Sequence, residues 1–319
     1  MAHELSLLAH IAKIASGLSA AFPRVLLGPG DDCAAIATPR GDTLLLTVDQ
    51  VIQGRHAPSP SRGWTSLNNA VDHLSRDELL NLYARKAVAR SISDIAAMGG
   101  EPWCGLCSAA LPADFPPDAS RALADAIHHW GQLWSCPIVG GDLAALVPAH
   151  DGPLLISLSV IGLSHGSPVT RAGARVGDKV FVTGTIGGSL LANGLGRHLT
   201  FEPRVREGAL LRRELGPDLH AMIDVSDGLG LDASRLATAS NVGIHLHAAQ
   251  IPLSPGVRDV AHAISDGEDY ELLFCAPHAP ASLGDTPITC IGEVVSGAGV
   301  ALLGPGGQTL DVSKAGWEH

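Results

Sequence analysis

Aspartates beside glycines, at the borders of short apolar runs, constrain this chain more than any other feature. Residues 28–56 read GPGDDCAAIATPRGDTLLLTVDQVIQGRH, with Asp31 and Asp32 in a glycine turn and with Thr47 and Asp49 directly after a leucine run. A short apolar run bounded by turn residues predicts a buried strand, with Asp49 at its end. Crowded ionised carboxylates repel one another and are costly to bury without a cation. The stretch therefore predicts part of a magnesium-phosphate site.

The composition indicates a globular protein of about two domains. The chain has 319 residues, 46% of them hydrophobic, and a domain typically takes roughly 150 residues. Its formal net charge of -11 argues against a nucleic-acid backbone or an anionic membrane as a partner. No apolar stretch near the N-terminus is long enough for a signal peptide, and none reaches the roughly 20 residues of a membrane span. We therefore expect a soluble, cytoplasmic protein without nucleic-acid or membrane partners.

The six cysteines do not predict a disulfide framework in a chain of this length. Residues 103–107, WCGLC, have the spacing of a thioredoxin-type redox motif. That chemistry needs its first cysteine at a helix N-terminus, whereas this segment continues as a strand that stops at Pro112. Cys136 with His128 and His129 lacks the spacing of a zinc site. Buried cysteines acting as small apolar side chains are the favoured interpretation.

Further aspartates occur at three later points. Asp94 lies in a predicted helix over residues 66–98, Asp142 follows a short strand and two glycines, and Asp224 and Asp227 lie where a strand leads into a helix. A buried aspartate in an apolar helix needs a partner, and glycines let a backbone approach a ligand closely. Plainer roles also fit: a solvent-facing Asp94, a turn-capping Asp142 and an N-capping Asp227. Spacing alone favours the plainer role for Asp94, and no plain role accounts for Asp224.

Strands and helices alternate along the chain. The predicted helices cover residues 4–20, 66–98 with a break near residues 75–78, 117–134 and 229–239. The predicted strands cover residues 44–46, 103–111, 137–139, 154–163, 179–183, 222–225, 244–246 and 272–275. The glycine loop 184–189 lacks the G-x-G-x-x-G spacing and the later acidic residue of a dinucleotide-binding fold. The glycine-rich, basic stretch 162–177 predicts a domain boundary.

Eight short motifs occur in the order found in one enzyme family. They are GDDCAAI, TVDQVIQGRH, SDIAAMGG, VGGD, TRAGARVGD, VTGTIGGS, IDVSDGL and DGEDYEL. With HELSLLAHI near the start and AGWEH at the end, the chain resembles the thiamine-monophosphate kinases of the aminoimidazole-ribonucleotide-synthetase-like superfamily over essentially its whole length. The resemblance implies transfer of the γ-phosphoryl group of ATP to thiamine monophosphate, giving thiamine diphosphate and ADP, with several Mg²⁺ ions.

The same resemblance implies an α/β (α+β) fold with two domains. Residues 1–165 are expected to form an N-terminal domain that binds ATP and magnesium and supplies the strands of a homodimer interface. Residues 166–319 are expected to form a C-terminal α/β domain.

Site residues are implied by their positions within the matching motifs. The implied metal ligands are Asp32, Thr47, Asp49, Asp94, Asp142, Asp224 and Asp227. The implied ATP-binding residues are Gly141, Asp142, Arg171 and Ser226. The implied substrate-binding residues are His56, Glu268 and Trp317. Because phosphoryl transfer needs alignment and charge neutralisation more than covalent help, we assign no acid-base residue and expect Asp49 and Asp142 to be central.

Three departures from the family pattern leave alternatives open. Val48 stands where the family usually has a second hydroxyl, Leu143 and Ala144 replace two threonines, and Asp266 replaces a glycine in the acidic turn. These changes affect none of the assigned carboxylates. The alternatives are another ATP-dependent member of the superfamily with a different acceptor, and a catalytically inactive nucleotide-binding relative.

Overall fold

The chain folds into two β-sheets with helices packed against them. The computed structural model describes residues 2–61, 63–66, 71, 73–257 and 259–317. Helices and strands alternate, so the mixed α/β fold predicted from the sequence is confirmed. None of the described helices is long and apolar enough to cross a membrane.

The first half of the chain forms a six-stranded sheet. Its helices are α1 (Ala2–Ala15), α2 (Leu18–Ala21), α3 (Arg76–Ala97) and α4 (Pro117–Leu133). Its strands are β1 (Val25–Leu27), β2 (Ala34–Ala37), β3 (Thr43–Ile52), β4 (Glu101–Leu111), β5 (Ile138–Ala145) and β6 (Leu155–Ser164). The strand order is β1-β2-β3-β6-β4-β5, and only the pair β4 and β5 is parallel. Helices α3 and α4 pack against each other beside this sheet.

The second half forms a larger sheet. Its helices are α5 (Val205–Leu215), α6 (Leu229–Ser240) and α7 (Val260–Ala263). Its strands are β7 (Lys179–Thr183), β8 (Ala221–Asp224), β9 (Gly243–His247), β10 (Leu272–Ala276), β11 (Ser282–Leu283), β12 (Thr286–Val295), β13 (Gly299–Leu303) and β14 (Thr309–Asp311). The order is β14-β13-β9-β12-β7-β10-β8, with β11 paired to β12. Short 3-10 turns occur at Pro148–His150, Arg197–Leu199, Gly216–Asp218 and Ala248–Gln250.

Helix α3 connects the two halves. It packs on β3 and β6 of the first sheet and on α5 and β8 of the second half. A capping box fixes its start: Ser75 Oγ accepts from the Glu78 backbone N–H at 3.3 Å, and Glu78 Oε2 accepts from the Ser75 backbone N–H at 2.7 Å. These bonds satisfy backbone donors that the first helical turn leaves unpaired. The first residue of the helix is therefore Arg76.

Strand β3 corrects two expectations. It covers ten residues, so Asp49 lies inside the strand and not at its end. Its side chains alternate: Leu45 is fully buried, whereas Val48 is 62% exposed. Because alternate residues of a strand share a face, Thr47 and Asp49 lie on the side of Leu45. The leucine run is thus part of a strand with one buried and one open face.

Two other boundaries differ from the sequence prediction. Strand β5 runs through the glycine pair and Asp142, where we expected a strand that ended before them. Helix α3 begins at Arg76, inside the predicted break at residues 75–78, so the prediction is wrong for the part before the break, where residues 66, 71 and 73–75 are not helical. Part of that predicted stretch, residues 67–70 and 72, lies outside the described residues.

The two cysteines of the WCGLC segment lie within β4, which confirms the strand prediction. They are three positions apart, so their side chains leave opposite faces of the strand. The glycine loop 184–189 is not followed by a helix until α5, and β7 pairs antiparallel with both of its neighbours. Neither feature suits a dinucleotide-binding βαβ unit.

Candidate functional site

Three aspartates from distant parts of the sequence converge between the two sheets. Asp32 comes from the turn before β2, Asp94 from α3, and Asp224 from the end of β8. One carboxylate oxygen from each residue lies within 4.8 Å of the others. Asp32 and Asp224 are buried and Asp94 is nearly so. These three residues are termed the acidic cluster.

Burial raises the pKa of all three carboxyl groups, and repulsion by neighbouring carboxylates adds to the increase for Asp94 and Asp224. For Asp94, burial is the largest cause, followed by the charges of Asp49, Asp224 and Asp32. Burial is also the largest cause for Asp224, with the charge of Asp32 second. Burial raises the pKa of Asp32 although Arg171 acts against it. Interior carboxylates that repel one another are stabilised by a bound cation, which removes the repulsion.

The chemistry of the acidic cluster fits a divalent cation with a preference for oxygen ligands. Carboxylate oxygens are the ligands that Mg²⁺ selects in proteins. Asp32 Oδ2 is buried and has no hydrogen-bond partner among the described residues. An unpaired buried acceptor is costly, so this atom favours the binding of a positive group.

Each aspartate of the acidic cluster accepts a hydrogen bond from a neighbour. The donors are the Thr47 hydroxyl (to Asp94), the Ser93 hydroxyl (to Asp224, 2.6 Å) and Arg171 Nη2 (to Asp32, 2.6 Å). The structure thus places Thr47 and Arg171, both implied site residues, directly beside the cluster. Asp49 lies outside the cluster and forms an ion pair with Arg90 at 3.3 Å.

The turn that carries Ser226 and Asp227 is held by a residue that the sequence analysis did not select. The Asp232 carboxylate accepts from the backbone N–H groups of residues 226, 227 and 228 at 3.0, 2.9 and 3.1 Å. Arg235 contacts both Asp227 and Asp232 at 2.6 Å. Asp227 is therefore part of an ion-paired turn and is not the N-cap of α6, which is Gly228. The hint in the sequence was an aspartate one helical turn after the glycine of the IDVSDGL motif.

A cavity of about 330 Å³ opens beside this turn. Its lining residues are Gly54, Arg55, His56, Leu190, His198, Ser226, Asp227, Glu268 and Trp317. The structure therefore brings the three implied substrate residues, His56, Glu268 and Trp317, to one cavity. Ser226, implied for ATP, lines the same cavity and follows Asp224 of the acidic cluster by two residues.

Asp142 lies apart from the acidic cluster of its own chain. Along the sheet, Asp49 pairs with Leu158, Leu158 with Cys107, and Cys107 with Gly141. With strands about 4.8 Å apart, the residue next to Asp142 is about 14 Å from Asp49. The packing of β5 against β4 requires glycine at position 141, because a Cβ there would lie 1.7 Å from the Cys107 carbonyl oxygen.

The departures from the family pattern fall mainly outside the acidic cluster. Val48 and Leu143 project from the sheet with 62% and 65% of their surface exposed. Asp266 Oδ2 accepts from the Gly188 backbone N–H at 2.9 Å, so this aspartate braces the glycine loop after β7. Neither type of change removes a carboxylate from the cluster.

Two buried cations on α3 are functional candidates that the sequence analysis missed. Lys86 is fully buried and lies 2.5 Å from Glu268. Arg90 lies one turn later, beside Asp49, and Asp94 follows after one further turn. Positions i, i+4 and i+8 share one helix face. The signal that could have identified them is this regular spacing of the three charged residues along the helix.

Comparisons with known proteins place this architecture in a class of enzymes. Residues 30–164 match the family model described as AIR synthase related protein, N-terminal domain. The matching segment contains two members of the acidic cluster and most of the first sheet. The fold and the site thus define a member of the AIR-synthase-related class.

Relatives that match over nearly the whole length define the family more closely. The thiamine-monophosphate kinase of Rhodopirellula baltica is 36% identical, over 93% of this chain and 91% of its own. That of Escherichia coli K12 is 29% identical, over 92% of both chains. A solved structure of AaThiL complexed with AMPPCP and TMP is 27% identical, with a TM-score of 0.77, and covers 99% of this chain and 96% of that chain. The chain belongs to the thiamine-monophosphate kinase family and is a phosphotransferase, which confirms the resemblance found in the motifs.

Proposed function

We propose that this protein transfers the γ-phosphoryl group of ATP to thiamine monophosphate, giving thiamine diphosphate and ADP. The observation that carries the proposal is the position of the acidic cluster next to the cavity that contains His56, Glu268 and Trp317. A similar solved structure, AaThiL, is complexed with AMPPCP and TMP. One chain therefore offers a place for a metal-bound triphosphate and a neighbouring place for a phosphorylated acceptor.

We infer that Mg²⁺ ions bind at the acidic cluster. Asp32, Asp94 and Asp224 are the proposed primary ligands, and Thr47, Asp49 and Asp227 are proposed ligands nearby. Magnesium supplies positive charge that neutralises phosphate oxygens and so allows two anionic reactants to approach. Asp142 is a ligand only by the prediction from the sequence, since none of the described contacts connects it with the acidic cluster.

The protein groups that we assign to ATP lie around the cluster. Arg171 is tied to Asp32 through Nη2, and its buried Nε makes no hydrogen bond within the described part of the chain. A guanidinium presents a planar set of donors that matches phosphate oxygens. Ser226 is proposed to contact the nucleotide from the turn braced by Asp232. Gly141 stays a prediction for the nucleotide, since its observed contact is with β4.

We also propose a homodimer that forms through the open face of the first sheet, within a domain of residues 1–165. The register places the exposed Leu46, Val48 and Leu106 on one face of this sheet, and the exposed Trp103 and Val139 lie at register shifts of β4 and β5. Contiguous exposed apolar patches of this kind mark interaction surfaces.

The proposed boundary to a second domain, residues 166–319, falls between β6 and β7. Location in the cytoplasm stays a prediction from the sequence.

The dimer is tested by sedimentation. We expect the wild-type protein to sediment at about twice its chain mass of 32.8 kDa. Leu106→Arg places a charge on the open face and is expected to sediment as a monomer. Leu310→Arg, at a similarly exposed leucine of the second sheet, is the matched control and is expected to remain dimeric. A wild type that sediments as a monomer at micromolar concentration contradicts the dimer.

The reaction is tested by incubating the protein with ATP, Mg²⁺ and thiamine monophosphate. We expect equimolar thiamine diphosphate and ADP, separated by chromatography, and no product with excess EDTA. ATP binding without thiamine diphosphate indicates the inactive nucleotide-binding relative, and turnover only with another acceptor indicates a different superfamily member. Asp49→Asn is expected to abolish transfer while the far-ultraviolet circular dichroism spectrum is retained.

A further inference from the structure

A fully buried lysine lies behind the wall of the substrate cavity. The Lys86 ammonium contacts three acceptors: the His56 carbonyl oxygen at 2.7 Å, His198 Nδ1 at 2.8 Å and Glu268 Oε2 at 2.5 Å. An ammonium group has three N–H donors. All three are therefore used within the protein, and none is left to bind a ligand.

Glu268 supplies the carboxylate of this group, and it lines the cavity together with His56 and His198. Its Oε2 accepts from Lys86 and from the Tyr270 hydroxyl, the latter at 3.1 Å. Its side chain is 18% exposed and lines the cavity, so Oε1 is the acceptor that remains for a ligand. The backbone of Glu268 has a φ of 59°, in the left-handed region, and its N–H donates to the Ser226 carbonyl at 2.7 Å. Such conformations are costly for a residue other than glycine and concentrate at functional sites.

His198 completes the group as a neutral base. Because an ammonium only donates, His198 Nδ1 must accept from Lys86. The proton of the imidazole is then on Nε2, which donates to the Gly194 carbonyl oxygen at 3.0 Å. The group thus contains one positive charge and one negative charge, both in the interior.

We propose that Lys86 is a positioning residue for the acceptor substrate: with His198 it fixes Glu268 so that Oε1 binds a cationic or hydrogen-bond-donating heterocycle. This inference rests on the proposed function, and its new element is Lys86, since the motif resemblance assigned only the cavity residues. A free carboxylate oxygen and the half-exposed indole of Trp317 form a cavity wall that suits a cationic ring. The thiamine part of thiamine monophosphate carries such a ring.

Lys86 also constrains His56, through its bond to the His56 carbonyl oxygen. Two of the three residues assigned to the substrate are therefore held by one amine. Because none of its donors reaches the cavity, removal of Lys86 should change the affinity for the acceptor through a loss of orientation. The nucleotide side of the site contains no described contact with Lys86, so the affinity for ATP should change little.

The test compares Lys86→Met with Arg76→Met, which removes another buried cation from the same helix. Arg76 pairs with Asp77 and Asp118 and does not line the cavity. We expect Lys86→Met to raise the KM for thiamine monophosphate about tenfold or more, with the KM for ATP changed less than about twofold. Arg76→Met is expected to lower the unfolding midpoint and leave both KM values near the wild-type values.

A double variant keeps the proposal testable if Lys86→Met folds poorly. Lys86→Met/Glu268→Gln removes both charges of the pair, so no unpaired charge is buried. If Lys86 acts mainly through Glu268, the KM of the double variant for thiamine monophosphate stays within about twofold of that of Glu268→Gln alone, with the small remainder due to the lost bond to the His56 carbonyl oxygen. Two effects that multiply, or an equal rise in the KM for ATP, overturn the proposal.

The outcome also separates this inference from the proposed function. A wild-type protein that forms no thiamine diphosphate overturns both. A wild type that forms it, together with a Lys86→Met variant that keeps the wild-type KM for thiamine monophosphate, overturns only the role of Lys86.

Discussion

The hydroxyl of Ser93 donates a hydrogen bond to Asp224 at 2.6 Å, across 131 positions of sequence. Ser93 lies on α3 beside the first sheet, and Asp224 ends a strand of the second sheet. Both groups are buried. One bond therefore connects the two halves of the chain at the acidic cluster, and the alignment of the proposed metal ligands depends on how the halves pack.

Ser93→Ala is expected to destabilise the fold and to weaken magnesium binding. It leaves the Asp224 carboxylate without this donor, at an expected cost of about 1–3 kcal/mol in the free energy of unfolding. Ser91→Ala is the control, because Ser91 is equally buried but donates to the Leu158 carbonyl, away from the cluster. Urea denaturation with and without Mg²⁺ should show similar losses for both variants, with a reduced magnesium effect only for Ser93→Ala. An unchanged magnesium effect in Ser93→Ala contradicts the connection.

Asp94→Asn is expected to stabilise the metal-free protein and to abolish its stabilisation by magnesium. The substitution removes one of three repelling buried charges, while the amide oxygen can still accept from Thr47. We expect a gain of about 1–3 kcal/mol in metal-free unfolding free energy. The wild type should instead gain stability with Mg²⁺ and ATP, because these ligands bind only the folded state.

The control for that experiment is Asp125→Asn, at an exposed aspartate of α4. This variant should behave as the wild type does in both conditions. If Asp94→Asn retains the full thermal shift with Mg²⁺ and ATP, the acidic cluster is not where the metal binds.

His198 is expected to make the fold sensitive to mild acid. Burial, and then the charge of Lys86, lower the pKa of His198 from 6.5 to about 4. Between those values the unfolded chain binds a proton that the folded chain does not, so the free energy of unfolding falls as the pH drops from 6.5 towards 4. Between pH 7 and pH 5, His198 lowers the free energy of unfolding by about 2 kcal/mol.

His198→Gln should remove that contribution, because glutamine does not titrate and its carbonyl can accept from Lys86. The measurement is urea denaturation at pH 7 and pH 5 for the wild type and the variant. The same substitution at the exposed His165 should leave the wild-type difference between the two pH values in place. If the free energy of unfolding falls by the same amount between pH 7 and pH 5 in the wild type and in His198→Gln, His198 is not neutral and buried.

Gly141→Ala and Gly140→Ala are expected to differ strongly although the residues are adjacent. A Cβ on Gly141 lies 1.7 Å from a backbone oxygen, whereas a Cβ on Gly140 first meets the flexible Leu106 side chain at 3.3 Å. We expect Gly141→Ala to cost about 3 kcal/mol, since β4 and β5 must separate, and Gly140→Ala to cost less than about 1 kcal/mol. Thermal unfolding without nucleotide checks this. Equal melting temperatures would show that β5 can shift to accommodate a methyl group.

The sequence allowed the prediction of elements with strong apolar patterns and of residues inside recognisable motifs. Asp94 is an example, because its spacing favoured a surface role and only the motif SDIAAMGG indicated a ligand. Strand β12 escaped prediction, because it contains Pro287 and Gly292, which weaken its strand signal. For the glycine pair before Asp142 the sequence leaves two interpretations open, a close approach to a ligand and a tight turn, whereas the close approach of β4 is what requires Gly141.

Local sequence patterns could not predict which side chains from distant parts of the chain contact each other. The contact of Lys86 with Glu268, like that of Asp227 with Arg235, depends on the packing of separate elements. Helical spacing shows that Lys86 and Asp94 share a face, but it does not show what lies opposite that face. The convergence of the acidic cluster was predicted only because a family resemblance supplied it.

Helix α3 fixes the distance between the two parts of the proposed active site. Lys86 and Asp94 are eight residues apart on one rigid rod, which separates them by about 12 Å along its axis. Their partners Glu268 and Asp224 both belong to the second half of the chain. Separation of that half from the helix would therefore break contacts at the proposed acceptor cavity and at the proposed metal site together, so that the two sites assemble in one step.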